Sequence, residues 1–438
     1  MSHPLFAPDM KLTPYWWEAA PRPKLPNAEP PKQAEVVVVG AGYTGVAAAL
    51  TLAREGRETV VFDAEDAGWG CSTRNGGQIG TKLRLGLEDL ASTYGRPKAV
   101  ALIKEVTNAR NHIADLIARE NIQCDWSVCG RFVGAHRPAD YESLAKDMPA
   151  YKKEIGIEAD MVPRSEQHAQ IGTDAYYGGQ LVHNNASLHP GLFHQGMLDR
   201  ATQAGAKIIS HCPVLSVEKD GTGFKVKHAL GEIRARNVII ASNGYTGPAL
   251  PDWRRRVIPI GSYVIATEEL PADLMNRLMP KRRVISDTRR VVFYYRASPD
   301  GKRFVFGGRV ASSETDPMVS GPRLHAVMSG IFPEVRDVKI THSWMGFVAY
   351  TFDHLPHIGV HDGVHYAMGY CGSGAHLAPY LGHKIALKVL GKSDGATAFD
   401  DVPFQTRPLY SGAPWFLAAA VMYYRFLDRM PGGRGRKP

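Results

Sequence analysis

The sequence has few cysteines, and their arrangement excludes two common kinds of small-protein scaffold. Five occur among 438 residues, at positions 71, 124, 129, 212 and 371. Their number is odd and no two form a CxxC pair, which argues against a disulfide framework and against a zinc site. We therefore predict no metal and a reducing compartment.

The sequence also lacks a long hydrophobic run and a block of like charge. Its longest apolar stretch, 415–424, is about half of the ~20 residues that a membrane-spanning helix needs. The net charge is +9, but the basic residues are scattered, which argues against a nucleic-acid partner. No basic region followed by an apolar stretch opens the chain, so no secretory signal is visible. We expect a cytoplasmic protein.

The composition is that of an ordinary globular protein. Hydrophobic residues make up 44% and charged residues 22%, which excludes disorder, collagen and a dedicated coiled coil. At ~150 residues per domain, the length allows roughly three domains, or two with insertions.

The strongest local pattern is a β-α-β unit between Glu35 and Asp63. Val36–Val39 is a continuous β-branched run, typical of a strand buried on both faces. A GxGxxG turn and an apolar helix follow, and Thr59–Phe62 is the next predicted strand. The glycines allow a tight turn, the approach of a pyrophosphate and close helix packing, while the helix N-terminus favours phosphate. The turn residues predicted to bind the cofactor are Gly40, Ala41, Gly42, Tyr43, Thr44 and Gly45.

Asp63 completes this dinucleotide-binding pattern. It follows the second strand, where a carboxylate accepts a hydrogen bond from a ribose hydroxyl, and an acid there disfavours the 2′-phosphate of NADP. A second loop begins five residues later and suits another contact along an extended dinucleotide. Its candidate contacts are Gly70, Ser72, Thr73, Arg74, Asn75, Gly76, Gly77 and Gln78.

Elsewhere, parallel-type strand and helix units alternate with a β-rich middle. We predict helices over Ala99–Glu120, Leu192–Ala204 and Ala375–Leu390. Strand patterns dominate between about 257 and 344. The fold class is therefore α/β, a nucleotide domain built from separated segments with a second domain inserted into it.

Through these motifs, the sequence is similar to the D-amino-acid-oxidase-like (DAO) family of FAD-dependent oxidoreductases. Within it, the sequence most resembles the γ-glutamylputrescine oxidase-type amine oxidoreductases. The resemblance rests on 36–45, 68–78 and the later segments 213–217, 241–244, 353–359 and 369–376. It implies FAD, a discontinuous Rossmann-like FAD-binding domain and an antiparallel β-rich α+β substrate domain.

The resemblance also suggests domain ranges and further cofactor contacts. The predicted ranges are a proline-rich arm at 1–34, the FAD-binding domain at 35–95, 160–248 and 346–412, the substrate domain at 96–159 and 249–345, and an apolar helix with a basic tail at 413–438. The further contacts are Val214 near adenine, Ala241, Asn243 and Gly244 near the pyrophosphate, and Gly372, Ser373, Gly374 and His376 at the flavin.

Departures from the family pattern limit the chemistry. A cysteine that attaches flavin covalently in some relatives corresponds to Gly346, so we predict non-covalent FAD. Two arginines that hold an α-carboxylate in others correspond to Val348 and Gly372, which favours an amine over a simple α-amino acid. No second GxGxxG unit exists for NAD(P)H, so electrons pass to oxygen, a quinone or a redox protein.

Candidate catalytic residues are predicted on the β-rich part. In a strand over 290–296, alternation places Arg290, Tyr294 and Arg296 on one face and Tyr295 on the other, and both faces stay open as the one that meets the flavin. The candidates are Tyr294, Tyr295, Arg309 and Trp344.

The predicted function is oxidation of an amine C–N bond to an imine, by hydride transfer to flavin N5, with oxygen as acceptor. The amine is γ-glutamylated or otherwise substituted, or an N-substituted amino acid. Two alternatives stay open: a membrane-surface D-amino-acid-type dehydrogenase that reduces quinone, and a flavin-binding protein without turnover. For the apolar helix at 414–430 the expectation is packing on the body; dimerisation and peripheral contact with the inner membrane face are its alternatives.

Overall fold

A computed structural model describes residues 3–25 and 29–430. Within them, the chain forms a mixed α/β structure with two large sheets. The strands are β1 Phe6–Lys11, β2 Gln33–Val39, β3 Thr59–Phe62, β4 Gln78–Ile79, β5 Arg131–Gly134, β6 Ala159–Val162, β7 Gly179–Val182, β8 Ala186–Ser187, β9 Lys207–Ile209, β10 Val214–Asp220, β11 Gly223–His228, β12 Gly231–Ile240, β13 Ile258–Thr267, β14 Val284–Asp287, β15 Tyr294–Ala297, β16 Phe304–Gly308, β17 Ile340–Tyr350, β18 His357–His361 and β19 Val364–Met368. The helices are α1 Tyr43–Arg54, α2 Leu87–Tyr94, α3 Arg96–Glu120, α4 Pro138–Ala150, α5 Pro190–Gln203, α6 Pro251–Arg254, α7 Ala272–Leu278, α8 Pro317–Ile331, α9 Gly374–Val389 and α10 Leu417–Arg429.

The first sheet has eight strands and a parallel centre. Its order is β10-β11-β12-β2-β3-β9, and β19 also pairs with β12 and carries β18. The valine run forms β2 between two parallel neighbours, β12 and β3. Val36 and Val38 enter one core, with α1, α3, α5 and α9, while Val37 and Val39 enter the core on the opposite face. Burial on both faces explains the unbroken β-branched run.

The second sheet has nine strands in the order β1-β17-β13-β16-β15-β14-β5-β7-β6. One face packs an aromatic core with side chains from α7 and α8, including Tyr263, Tyr295 and Phe306. Part of the other face is covered by Trp16, which packs with Val264 and Trp344. The rest of that second face is available to line a cavity.

The proline-rich arm docks on the body. Its first strand, β1, pairs in parallel with β17, and a turn over Tyr15–Trp17 brings Trp16 into full burial. Residues 1–2, 26–28 and 431–438 of the predicted arm and basic tail lie outside the described residues. None of the helices formed by residues 3–25 and 29–430 combines the length and apolarity needed to cross a membrane.

Most predicted elements match, with shifts of a few residues at their ends, but the strand over 290–296 is too long. The observed strand begins at Tyr294. The preceding residues form a loop because carboxylates bind its backbone N–H groups, with Asp287 accepting from Arg289 and Phe293, and Asp428 accepting from residues 290 and 291. Such side-chain acceptors replace the ladder of a sheet.

The division into domains stays a prediction, but sheet membership differs from the predicted ranges in places. Residues 160–182 include most of β6 and all of β7, which belong to the nine-stranded sheet rather than to the eight-stranded one. Residues 346–350 end β17 of the same sheet. Helix α3, predicted within the substrate domain, packs in the core formed with α1 and α9. Short apolar runs do not reveal which sheet they join, because periodicity carries no long-range information.

Candidate functional site

A cavity of about 970 Å³ lies between the loops of the eight-stranded sheet and the open part of the nine-stranded sheet. That is near the upper end of the ~300–1,000 Å³ typical of cofactor and ligand sites. Its lining includes Gly40 and Gly42 from the first loop, Tyr294 and Val348 from the nine-stranded sheet, and Tyr424 from α10. The motifs predicted separately from the sequence therefore meet at one place.

The GxGxxG turn has the geometry that its glycines predict. Gly40 has φ +107°, a left-handed conformation that favours glycine. A Cβ on Gly45 would lie 1.8 Å from the Gly40 carbonyl oxygen, so only glycine lets α1 pack this close to β2. Helix α1 begins at Tyr43, whose N–H donates to Ser72 Oγ at 2.8 Å. The positive end of the helix thus opens at the cavity.

Asp63 lies beside this turn. Its carboxylate accepts hydrogen bonds from the N–H groups of Ala41 at 2.7 Å and Glu65 at 3.0 Å. Burial raises the pKa of Asp63 to about 6, although these two bonds oppose the shift. The carboxylate is therefore ionised at neutral pH and faces the cavity as an acceptor.

The second loop is held from outside by three tryptophans. The indole N–H of Trp16 donates to the Asn75 carbonyl at 2.8 Å, and that of Trp17 donates to Thr73 Oγ1 at 2.8 Å. The indole N–H of Trp344 donates to the carbonyl of Arg74 at 2.9 Å. Every residue from 73 to 75 is thus bound by an indole. The loop is presented to the cavity by this support.

Two turns close the same region. The Asn243 side chain accepts from the Gly369 N–H at 2.9 Å, which joins the turn after β12 to the turn after β19. Gly372 has φ +93°, and α9 then begins at Gly374 with no side-chain cap from Ser373. This second open helix N-terminus also lies at the cavity.

The structure brings most predicted cofactor residues to the cavity. Those that line it are Gly40, Gly42, Tyr43, Thr44, Asp63, Gly70, Ser72, Arg74, Asn75, Gly76, Gln78, Val214, Ala241, Asn243, Gly372, Ser373 and Gly374.

Six predicted residues are not part of the lining. Thr73 and Gly45 support the loops from behind, as described, and the Ala41 N–H is bound to Asp63. A Cβ on Gly244 would lie 3.1 Å from the Phe347 carbonyl oxygen, so this glycine serves packing. The others behind the lining are Gly77 and His376.

On the substrate side, two of the four predicted catalytic residues line the cavity. Tyr294 does, with its hydroxyl 2.9 Å from Ser262 Oγ, and burial raises the pKa of Tyr294 to about 12. Arg309 also does, and its guanidinium donates to Glu314 at 2.9 Å and to the Gly261 carbonyl at 2.8 Å.

Tyr295 and Trp344 do not reach the cavity. Tyr295 points to the opposite face, into the aromatic core, where its hydroxyl lies 2.9 Å from that of Tyr176. Trp344 shares a face with Val348, but the arm covers that end of the strand and its indole binds the second loop. Tyr294 thus lies on the face that meets the cavity.

Several lining residues were missed by sequence reasoning. Arg131 of β5 lines the cavity, and its Nη1 donates to Ser286 Oγ of β14 at 3.4 Å. Its Nε has no hydrogen-bond partner among the described residues, and burial lowers its pKa to about 10, so it stays charged. Asp287 also lines the cavity, with its pKa raised to about 6 by burial despite its pairing with Arg289. The sequence signal that could have identified Arg131 is its position as the first residue of an otherwise apolar strand.

The geometry fits FAD. Two loops that admit close backbone approach, two open helix N-termini and one ionised carboxylate match the phosphates and ribose of a dinucleotide. Within residues 3–25 and 29–430, no three His, Cys, Asp or Glu side chains are grouped as a metal site requires.

Comparison with known proteins agrees with this geometry. The profile of the family described as FAD dependent oxidoreductase (DAO) matches residues 35–387. The chain is 31% identical to a probable oxidoreductase OrdL of Rhizobium meliloti over 94% of this chain and 97% of that protein. It is 29% identical to the gamma-glutamylputrescine oxidoreductase of Escherichia coli over 90% and 93%.

A solved structure shares the fold. The glycine oxidase from Geobacillus kaustophilus superposes with a TM-score of 0.73 at 19% identity, covering 86% of this chain and 99% of that one. The extent of the family match and the identity to a full-length relative establish membership. The chain belongs to the DAO family of FAD-dependent oxidoreductases, and FAD is its cofactor.

Proposed function

We propose that this enzyme oxidises the C–N bond of a substituted amine to an imine, with oxygen as the electron acceptor. The observation that carries the proposal is the face of β15, where Tyr294 meets the glycine loops across one cavity. We assign the eight-stranded sheet to a Rossmann-like, discontinuous FAD-binding domain and the nine-stranded sheet to an inserted substrate domain.

The residues that would hold FAD are those of the two loops and the two helix N-termini. Backbone groups of Gly42 and Thr44 would face the diphosphate, Asp63 the ribose, and the start of α9 the flavin. FAD, when bound, would supply the acceptor for the hydride that leaves the substrate carbon, and water would hydrolyse the imine that results. The protein supplies position, exclusion of water and charge.

The substrate is proposed to be an amine rather than a simple α-amino acid. At the two positions where some relatives hold an α-carboxylate with arginine, this chain has Val348 and Gly372, and both line the cavity. Neither has a side chain that binds a carboxylate. An α-carboxylate at these positions would lose its bidentate partner.

A carboxylate farther from the reacting carbon suits the cavity better. Away from the cofactor loops, its lining carries Arg131, whose Nε has no hydrogen-bond partner among the described residues, while the nearby Asp287 is already paired with Arg289. β5, which carries Arg131, lies two strands from β15, or about 10 Å at ~4.8 Å per strand. In a γ-glutamylated amine, the carboxylate and the amine that is oxidised are separated by a distance of this order.

The side chains near Tyr294 orient the substrate without a dedicated base. With its pKa near 12, Tyr294 keeps its proton at physiological pH and can donate a hydrogen bond. Ser262 fixes the direction of that hydroxyl. If the amine binds in its neutral form, no group of the protein needs to remove a proton before hydride transfer.

The cofactor is proposed to be non-covalent. A Cβ on Gly346 would lie 3.5 Å from Cys71 Sγ, so Cys71 is the thiol beside that position. Burial raises the pKa of Cys71 to about 11. A protonated thiol is a poor nucleophile and does not favour attachment.

The test is anaerobic titration of the purified yellow protein with polyamines, γ-glutamylated amines, N-methyl amino acids and D-amino acids. We expect γ-glutamylated amines to bleach the flavin absorbance at the lowest concentrations. Bleaching only by unmodified D-amino acids would reject the amine assignment. If nothing bleaches the flavin, the protein binds FAD without turning over an amine.

A second candidate is a membrane-surface dehydrogenase that passes electrons to quinone. The observation in its favour is the row of exposed apolar side chains on α10, among them Met422 and Phe426. Oxygen consumption with stoichiometric peroxide supports the oxidase. Turnover with quinones and none with oxygen supports the dehydrogenase.

A further inference from the structure

Helix α10 has two apolar faces, and within residues 3–25 and 29–430 only the inner one packs against another part of the chain. The inner face lines the cavity through Leu417, Val421 and Tyr424. The helix is fixed there by Asp428, whose carboxylate accepts from the N–H groups of Arg290 and Val291 at 2.9 and 3.2 Å. The inner face is thus a wall of the site already described.

The outer face is a continuous apolar row. Within α10, positions 419, 422 and 426 follow one another at steps of three or four residues, which places them on one side of the helix, while Trp415 precedes the helix and Met430 follows it. The large side chains in and beside this row are Trp415, Met422, Tyr423, Phe426 and Met430, exposed by 74, 58, 55, 57 and 42%. We call these five residues the outer row.

Such a row is unusual on a protein surface. Single exposed apolar side chains are common, but a contiguous apolar patch marks an interaction site. The sequence that follows is basic: Arg434, Arg436 and Lys437 occur among glycines, and residues 429–438 contain no acid. An apolar helix face beside a cationic segment is typical of peptides that lie in a membrane interface.

We propose that the outer row binds the surface of an anionic lipid bilayer. The side chains of the row enter the boundary between headgroups and acyl chains, while the basic segment binds anionic headgroups. A second copy of this chain would match the apolar row equally well, but each copy carries a net charge of +9, whereas an anionic bilayer attracts that charge. Charge therefore favours lipid.

The test uses the FAD-loaded full chain and vesicles of phosphatidylcholine, alone or with 30% phosphatidylglycerol. We expect co-sedimentation with the anionic vesicles only, and release at 0.5 M NaCl, where the charge interaction is screened. The triple variant Met422→Ser, Tyr423→Ser, Phe426→Ser should bind at least tenfold more weakly. Replacing Arg434, Arg436 and Lys437 with alanine should weaken binding about a hundredfold, since each cation near an anionic surface contributes about fivefold.

A matched control removes apolar side chains of similar exposure elsewhere. Val128, Leu230 and Val360 are 53, 63 and 54% exposed, and their serine variant should bind vesicles like the wild type. Flavin absorbance and the melting temperature verify that each variant is folded. The wild-type comparison of neutral and anionic vesicles needs no variant at all.

Three results would overturn the proposal. The first is no binding of the wild type to anionic vesicles at low salt. The second is binding that the outer-row variant and the control variant retain equally. The third is a wild-type dimer in solution that the outer-row variant converts to a monomer, which would assign the row to a second copy. None of these results depends on which amine is oxidised.

Discussion

Replacing Trp16 and Trp17 with phenylalanine should weaken FAD binding. The two indoles donate to the Asn75 carbonyl and to Thr73 Oγ1, so they hold the loop whose other side faces the cavity. Phenylalanine keeps most of the ring packing and removes only the donors. The arm would remain docked through β1.

The expected magnitude follows from the two lost hydrogen bonds. A neutral hydrogen bond contributes about 0.5–1.5 kcal/mol, so two contribute about 2 kcal/mol. These hydrogen bonds keep the loop in the conformation that binds FAD. In the double variant, the free energy of ordering the loop is therefore subtracted from the free energy of FAD binding. At 1.4 kcal/mol per tenfold, the FAD dissociation constant should rise about 30-fold, and each single variant should show about fivefold.

The assay is titration of apoprotein with FAD, followed by the change in flavin fluorescence. Trp253→Phe is the matched control, since Trp253 is also a buried tryptophan but packs against Tyr366 and not against Thr73 or Asn75. The reasoning is refuted if the double variant binds FAD with the affinity of the wild type. In that case the substitutions would lower the melting temperatures of the apo and holo forms by the same amount. That outcome would show that the arm stabilises the fold but does not contribute to cofactor binding.

Three further predictions concern the cavity. Because the pKa of Asp63 is about 6 and its ionised form accepts hydrogen bonds, FAD affinity measured by titration should fall as pH drops below 6, and Asp63→Asn should remove this dependence. Acid precipitation should leave the flavin in the supernatant; flavin in the pellet of the wild type but not of Cys71→Ser would show covalent attachment there. Arg131→Met should raise the dissociation constant of a γ-glutamylated amine about 10- to 100-fold, because a charged hydrogen bond is lost. The dissociation constant of the parent amine, which has no carboxylate, should hardly change. Equal effects on both amines would refute the proposal that Arg131 binds a carboxylate.

Local patterns predicted the segments that meet at the glycine-rich side of the cavity, while the contacts of these segments with FAD stay predictions. The GxGxxG turn, Asp63 and the second loop each depend on spacing within a few tens of residues, and the positions of Gly40 and Gly42 follow from the backbone conformation that they require. The arm was predictable for a similar reason, since adjacent tryptophans do not stay in water.

The substrate side could not be predicted in the same way. Alternation separates Tyr294 from Tyr295 but does not say which face meets a cavity, nor where along β17 the cavity ends and the arm begins. Trp344 and Val348 lie on the same face of β17, but Trp344 is covered by the arm and Val348 lines the cavity. The loop before Tyr294 is shaped by Asp428, more than 130 residues away, and no local pattern encodes such a contact.

The parallel pairing of β1 with β17 also bears on the order of events during biosynthesis. Phe6 leaves the ribosome about 330 residues before its partner Ile340, which is roughly 17–67 s at 5–20 residues per second. The tryptophans beside that strand therefore cannot dock until β17 has been synthesised. Nascent chains should consequently take up their prosthetic group only after β17 has left the ribosome.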